Sequence, residues 1–156
     1  MFDFLEYIKT YIQTQFANDS QITTAKKPNV YNAYQINHEP IASKPEIQVQ
    51  IMNNNERNGY TTFCGKKANT ISVQFTPYIG GQMKIGGVDR NAQESSIIFG
   101  DKIEKMLYDL IYSNGNENIY GGRIITTSPA LPMNGGGTIY MTAVRFEFIV
   151  ASPYID

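Results

Sequence analysis

The spacing of the apolar residues changes its period three times along this chain, and that order restricts the folds open to it. Leu5, Ile8, Ile12 and Phe16 recur at three- and four-residue steps, with Phe4, Tyr7 and Tyr11 on the same flank. This predicts a helix over Asp3 to Phe16 with one stripe facing a core. Asp3 and Glu6 resemble a capping box with Asp in the capping role, and Asn18-Asp19-Ser20 ends the helix. The period then drops to two. Ile47, Val49 and Ile51 alternate with Gln48 and Gln50 in a strand over Glu46 to Met52. Ile71, Val73 and Phe75 alternate with Ser72, Gln74 and Thr76 in another, which Pro77 closes.

The helical period returns from Ala92 or Ser95 to Tyr112. Phe99, Ile103, Met106, Leu107, Leu110 and Ile111 form its buried face, Lys102, Glu104, Lys105 and Asp109 face water, and Asn114-Gly115 supplies the stop. Arg123 to Thr127 is a strand. The stretch Ser128-Pro129-Ala130-Leu131-Pro132-Met133 is expected to be irregular, because two prolines fix φ and remove donors. The last strand, Ile139 to Ala151, is expected to be the longest. Tyr140, Val144, Phe146, Phe148 and Val150 share one face, and the other is half apolar, the mark of a central strand or one covered by a neighbouring subunit.

Between these elements the chain is loop-rich. Lys26-Lys27-Pro28-Asn29 breaks structure, Val30 to Ile36 is read as a short strand, and His38-Glu39-Pro40 and Lys44-Pro45 bracket a loop. Asn53 to Gly59 is a turn or long loop, Tyr60 to Cys64 extends a strand, and Gly65-Lys66-Lys67 breaks it. The glycine pairs Gly80-Gly81 and Gly86-Gly87 predict a flexible hairpin or loop that orders against something else. The order helix, strands, helix, two strands, with hairpin links, predicts a single α+β domain over residues 1–156: a mostly antiparallel sheet backed by two helices on one face.

With 156 residues, 42% of them hydrophobic, the chain is long enough for one core without a disulfide or metal staple. Cys64 is the only cysteine, so no intramolecular disulfide forms, and a reducing compartment is expected. Met1-Phe2-Asp3-Phe4-Leu5-Glu6 lacks the basic start and apolar run of an export signal, and no apolar run reaches membrane-spanning length, so no membrane partner is expected.

Charge is unevenly spread. The net charge is −1, but residues 57–90 hold five basic groups and one acidic, while residues 91–156 hold four and seven. Arg57, Lys66, Lys67, Lys84 and Arg90, with Gly80, Gly81, Gly86 and Gly87, are the candidate partner-contact positions, either as a solvated basic loop or as a contact for an acidic partner. The loops at Asn53 to Lys67 and Gly80 to Gly87 are expected to project and to order on contact.

Residues for catalysis are sparse. His38, the only histidine, sits in a Pro-bounded loop, and nothing in the sequence brings it to Cys64. No cluster has zinc or calcium spacing. Gly81 and Gly86 have the separation of a phosphate-loop pair, but Gly87 and Val88 stand where Lys and Ser or Thr are needed. The acidic residues map mostly to helix exteriors and turns. The expectation is a non-enzyme with no cofactor and no metal. Eleven Tyr, among them Tyr31, Tyr34, Tyr60, Tyr78 and Tyr120 in or beside loops, suit contact surfaces.

Three segments carry a family likeness: Ile103-Glu104-Lys105-Met106-Leu107-Tyr108, Ser128 to Met133, and Arg145-Phe146-Glu147-Phe148-Ile149-Val150 running to Ser152-Pro153-Tyr154. With the element order, they resemble the tail terminator proteins of long-tailed bacteriophages and phage-tail-like bacteriocins, often labelled minor capsid or tail-completion proteins. The resemblance implies a virion structural protein assembled in the bacterial host cytoplasm. It implies a ring, commonly hexameric, on the head-proximal end of a tail tube. The ring ends tube polymerisation and serves head-tail joining. Implied partners are further copies of the chain, the tail tube protein, a neck or head-tail connector protein, DNA in the lumen, and a sheath subunit in a contractile tail. Other readings are a connector, neck or tail-tube subunit, or a small ligand- or nucleic-acid-binding module using the Gly-rich loop.

Overall fold

The computed structural model describes residues 3–54, 61–63, 66–113, 116–133 and 137–151, with residues 53, 54, 61–63, 66 and 67 described by backbone alone. Helix α1 is Phe4–Ala17. Asp3 caps it, its Oδ1 accepting from the Glu6 amide at 3.1 Å. Strands β1 (Asn29–Asn32), β2 (Glu46–Asn54), β3 (Thr61–Phe63) and β4 (Lys66–Gly80) follow, then a short hairpin of β5 (Met83–Ile85) and β6 (Val88–Arg90). Helix α2 is Ala92–Tyr112. Its start is set by Asn91, whose Oδ1 accepts from the Glu94 amide at 2.8 Å while its Nδ2 donates to the Glu94 carboxylate. Strands β7 (Ile119–Thr127), β8 (Leu131–Pro132), β9 (Ile139–Met141) and β10 (Val144–Ala151) complete the chain.

The main sheet runs β1-β2-β4-β10-β7, antiparallel except for the parallel pair β1-β2, with β3 and β9 also on β4 and β8 on β9. Alternation divides it cleanly. Ile47, Val49, Ile71, Val73, Phe75, Val144, Phe146, Phe148 and Val150 point to one face and are buried there. Both helices lie on that face. Phe4 of α1 meets Phe148 edge-on at 5.0 Å, Phe16 stacks on Phe99 of α2 at 5.1 Å, and Tyr108 of α2 meets Phe146 at 5.7 Å. The α+β architecture with two helices on one face is therefore as the periodicity predicts.

Local boundaries differ from the sequence expectation, for identifiable reasons. The long strand is β4, with 15 residues. It includes Lys66 and Lys67, which were expected to break it, and runs through Pro77. Pro77 falls between the ladder to β10, ending at Phe75, and the ladder to β9, starting at Tyr78, where a missing donor is tolerated. The expected final strand is instead two, β9 and β10, parted at Thr142-Ala143. Side chains satisfy the break: Ser128 Oγ accepts from the Ala143 amide at 2.8 Å, and the Thr142 and Ser96 hydroxyls lie 3.1 Å apart. Leu131-Pro132, expected to be irregular, forms a two-residue strand on β9. β7 begins at Ile119, ahead of Gly121-Gly122. β1 ends at Asn32, short of the expected Ile36.

The Gly80–Gly87 segment is not the free loop expected from its glycines. Met83 and Ile85 are buried, Ile22 bridges Ile85, and the Gly86 amide donates to the Gln21 carbonyl at 2.9 Å. Gly81, Gly86 and Gly87 take positive φ, so they serve the tight turns of a docked hairpin. Most of the Asn53 to Lys67 loop, with Arg57, Tyr60 and Cys64, and the expected helix stop at Asn114-Gly115, lie outside the described residues.

One ion pair ties the turn after α1 to α2. Lys102 Nζ lies 2.8 Å from Asp19 Oδ2, with both side chains largely buried, and it also donates to Gln21. Burial alone would raise the Asp19 pKa. The Lys102 hydrogen bond, the Gln21 amide and the charges of Lys102 and Lys27 outweigh it and hold the carboxyl below its usual value.

Two stability predictions follow from these contacts. A Cβ at Gly122 would meet Phe146 Cε1 at 2.5 Å and the Glu147 carbonyl at 2.8 Å, whereas one at Gly121 meets nothing within 4 Å. Gly122→Ala is expected to cost about 1–3 kcal/mol in urea unfolding, with Gly121→Ala near neutral. Asp19→Asn is expected to cost about 1–3 kcal/mol at neutral pH. Because the folded carboxyl is depressed, this stabilisation is present above the ordinary value of 3.8 and lost as pH falls below it. The wild type and Asp19→Asn unfolding curves should therefore converge under acid conditions.

Candidate interaction surfaces and the His38–Glu46 recess

The face of the sheet opposite the helices carries the polar half of the alternation. Glu46, Gln48 and Gln50 of β2 and Ser72, Gln74 and Thr76 of β4 point to it, together with Arg145 and Glu147 of β10. The segment 33–45 folds over one end of this face. Its close approach depends on Gly80, where a Cβ would lie 2.6 Å from Ala42 Cα.

Under that segment Glu46 is only 5% exposed. His38 Nε2 lies 3.1 Å from its Oε1, and Gln48 Nε2 donates to its Oε2 at 3.0 Å. Tyr31 meets the His38 ring edge-on at 5.0 Å. Tyr31, His38, Glu39, Ile41, Lys44, Pro45 and Glu46 line a recess of about 410 Å³. Tyr78 stands opposite Glu46 in register, and its pKa is raised, first by burial and then by the Glu46 charge. The arrangement holds a charge and locks a loop; His38 supplies the proton donor or the counter-charge. The sequence placed His38 in a polar loop and left Glu46 unremarked at the head of a strand. The alternation did put Glu46 on the face away from the core, but only the returning loop buries it.

The basic candidates are dispersed. Lys84 is exposed on the β5–β6 hairpin, and Arg90 ends that hairpin with its guanidinium 3.4 Å from Glu94. Gly80 is inside β4, and Gly81, Gly86 and Gly87 are hairpin turns. Lys66 and Lys67 lie on β4. Among the described residues no group of three or more His, Cys, Asp or Glu could hold a metal ion, and no helix is long and apolar enough to cross a membrane. Of the loop tyrosines, Tyr34 is 67% exposed yet anchored, its hydroxyl donating to the Ile51 carbonyl at 3.0 Å.

The buried carboxylate gives a direct test. In Glu46→Gln, the Tyr78 phenol should titrate at lower pH than in wild type while staying above 10, because burial remains after the charge is removed. NMR observation of the Tyr78 ring against pH reads this out, and an unchanged Tyr78 titration would contradict the account. Set against known proteins, the chain matches no family model and no curated protein.

Proposed function

We propose that this chain is a structural, ring-forming subunit that caps the head-proximal end of a phage or phage-like tail tube and presents a docking surface to the neck or head connector. The observation that carries the reading is that the described parts of the three segments behind the family resemblance belong to one packed unit. Ile103 to Tyr108 of α2 lies on β10, with Tyr108 against Phe146. Ser128, at the head of the second segment, clamps Ala143 just before β10 through two hydrogen bonds, its amide donating to the Ala143 carbonyl and its Oγ accepting from the Ala143 amide. The third segment is β10 over Arg145 to Val150, an inner strand between β4 and β7, while Ser152-Pro153-Tyr154 lie outside the described residues.

The mechanism is geometric. One face of the ring copies the tube subunit's own contact, and the opposite face does not continue it, so growth stops. A head-to-tail contact of this kind closes when its rotation completes a circle. No bond is made or broken, and the function rests on shape, sheet edges and charge. The partners of this reading are further copies of the chain, the tail tube protein, the neck or connector protein, DNA in the lumen, and sheath where the tail contracts.

Tube assembly from purified tube protein tests this. Adding the chain is expected to shorten the tubes in electron micrographs and to place one ring at a single end. Tube lengths that do not respond would overturn the reading, and long tubes formed by the chain alone would identify it as a tube subunit instead.

A further inference from the structure

Exposed apolar side chains gather along one lateral end of the sheet and on the segment that leaves the strand at the other end. At one end, β7 is the last strand and, among the described residues, pairs only with β10. β8 extends the same border, since it pairs with β9 on the β10 side of β4. Ile125 and Leu131, on these two strands, are 44% and 46% exposed. Beside them runs a stripe of α2 at helical spacing, Ile97, Asp101, Glu104, Tyr108 and Tyr112. Tyr112 is 74% exposed and stacks on Tyr108, and Glu104 accepts from the Thr127 hydroxyl on β7. The charge here is acidic: Asp101, Glu104 and Glu117 stand against Arg123, which is already paired with Glu147. Lys102 and Lys105 lie in the groove toward α1.

At the other end, β1 pairs only with β2 among the described strands. Tyr34 and Ile41, on the segment that leaves β1 and crosses the bare face toward β4, are exposed. The charge here is basic on balance: Lys26, Lys27 and Lys44 stand against Glu39, with Glu46 buried and paired to His38. Lys26 and Lys27 lead into β1 and donate to the backbone carbonyls of Ser43 and Ala17 rather than to a carboxylate, and Lys44 stands at the mouth of the recess.

A free strand edge is a template for another strand, and soluble proteins usually blunt it. The residues 123–127 of β7 contain no Pro; the blunting devices on this border are the charge of Arg123, Pro132 on β8 and the bulges in the β10 ladder. An edge flanked by exposed aromatic and aliphatic side chains has the composition of an interface. The opposite end of the same sheet offers a second edge of opposite charge.

We infer that the β7–β8 edge, with the Ile97–Tyr112 stripe of α2, docks the β1 edge and the 33–45 segment of a second copy of this chain, head to tail. Backbone pairing supplies direction, the apolar residues supply burial, and the acidic and basic ends set the polarity of the contact. Because the two surfaces differ, the contact repeats from copy to copy and closes only as a ring. This deepens the ring reading above and rests on it only for closure. Self-association without tube capping would sink the tube alone, and capping that ignores these edges would sink the edges alone.

The test is sedimentation of the full chain over a concentration series. The wild type is expected to self-associate. Ile125→Lys with Tyr112→Lys on one edge, or Lys26→Glu with Ile41→Glu on the other, should each weaken association about tenfold or more. Mixed in equal amounts, the two variants should form a dimer and nothing larger, since each keeps one working surface. Ile97→Asp, on the helix and away from the strand, should weaken association in the same direction and provides the readout if a strand variant fails to fold. A wild type that stays monomeric throughout, variants that assemble like wild type, or a folded pair that gives no dimer would each overturn the proposal.

Discussion

The buried face of β4 and β10 is the contact on which the rest of the molecule depends. Phe75, Phe146 and Phe148 stand side by side there, with ring centroids 4.6 Å apart for Phe146 and Phe148 and 6.4 Å for Phe75 and Phe148. Each helix contributes aromatic rings to this layer, so one face of the sheet holds both helices. Aromatic side chains bury large areas, and their edge-on contacts add to that burial. The single-sided core leaves the other face with Gln, Ser, Thr and charged residues, which keep it wet. It also leaves the outer edges of β1 and β7 without a strand partner among the described residues.

That asymmetry frames every functional feature. The bare face is closed over at one end by the 33–45 segment, where Glu46 is buried and paired. A buried carboxylate is tolerated because His38 and Gln48 satisfy both oxygens. Gly80 permits the segment to come this close, and Tyr78 records the charge beneath it. The β5–β6 hairpin is docked in the same spirit, with Met83 and Ile85 inserted beside Ile22. Both segments look like free loops in composition, and both are held by one or two buried side chains and a backbone bond.

The edges carry the interaction argument. A sheet whose helices cover one face keeps its strand edges for backbone pairing, and its two lateral ends differ in charge. In the proposed ring, repetition of one contact would give the β7 edge and the α2 stripe a purpose that core packing does not require.

Much of the fold was legible in the sequence, because period is a local property. Leu5 to Phe16, Glu46 to Met52, Ile71 to Phe75 and Phe99 to Ile111 announce helix, strand, strand and helix through side-chain spacing alone, and the one-faced α+β sheet follows from their order. What tertiary structure decided was where chain breakers stop mattering and which polar groups are buried. Lys66, Lys67 and Pro77 read as breaks, yet neighbouring strands carry β4 through them. Thr142-Ala143 reads as strand, yet Ser128 and Ser96, distant in sequence, part it into β9 and β10. The Gly80–Gly87 glycines promise freedom, but freedom is set by what the hairpin packs on. Glu46 looks solvated, and only a loop arriving from β1 buries it against His38. In each case the deciding partner lies far along the chain, and spacing along the chain carries no record of such contacts.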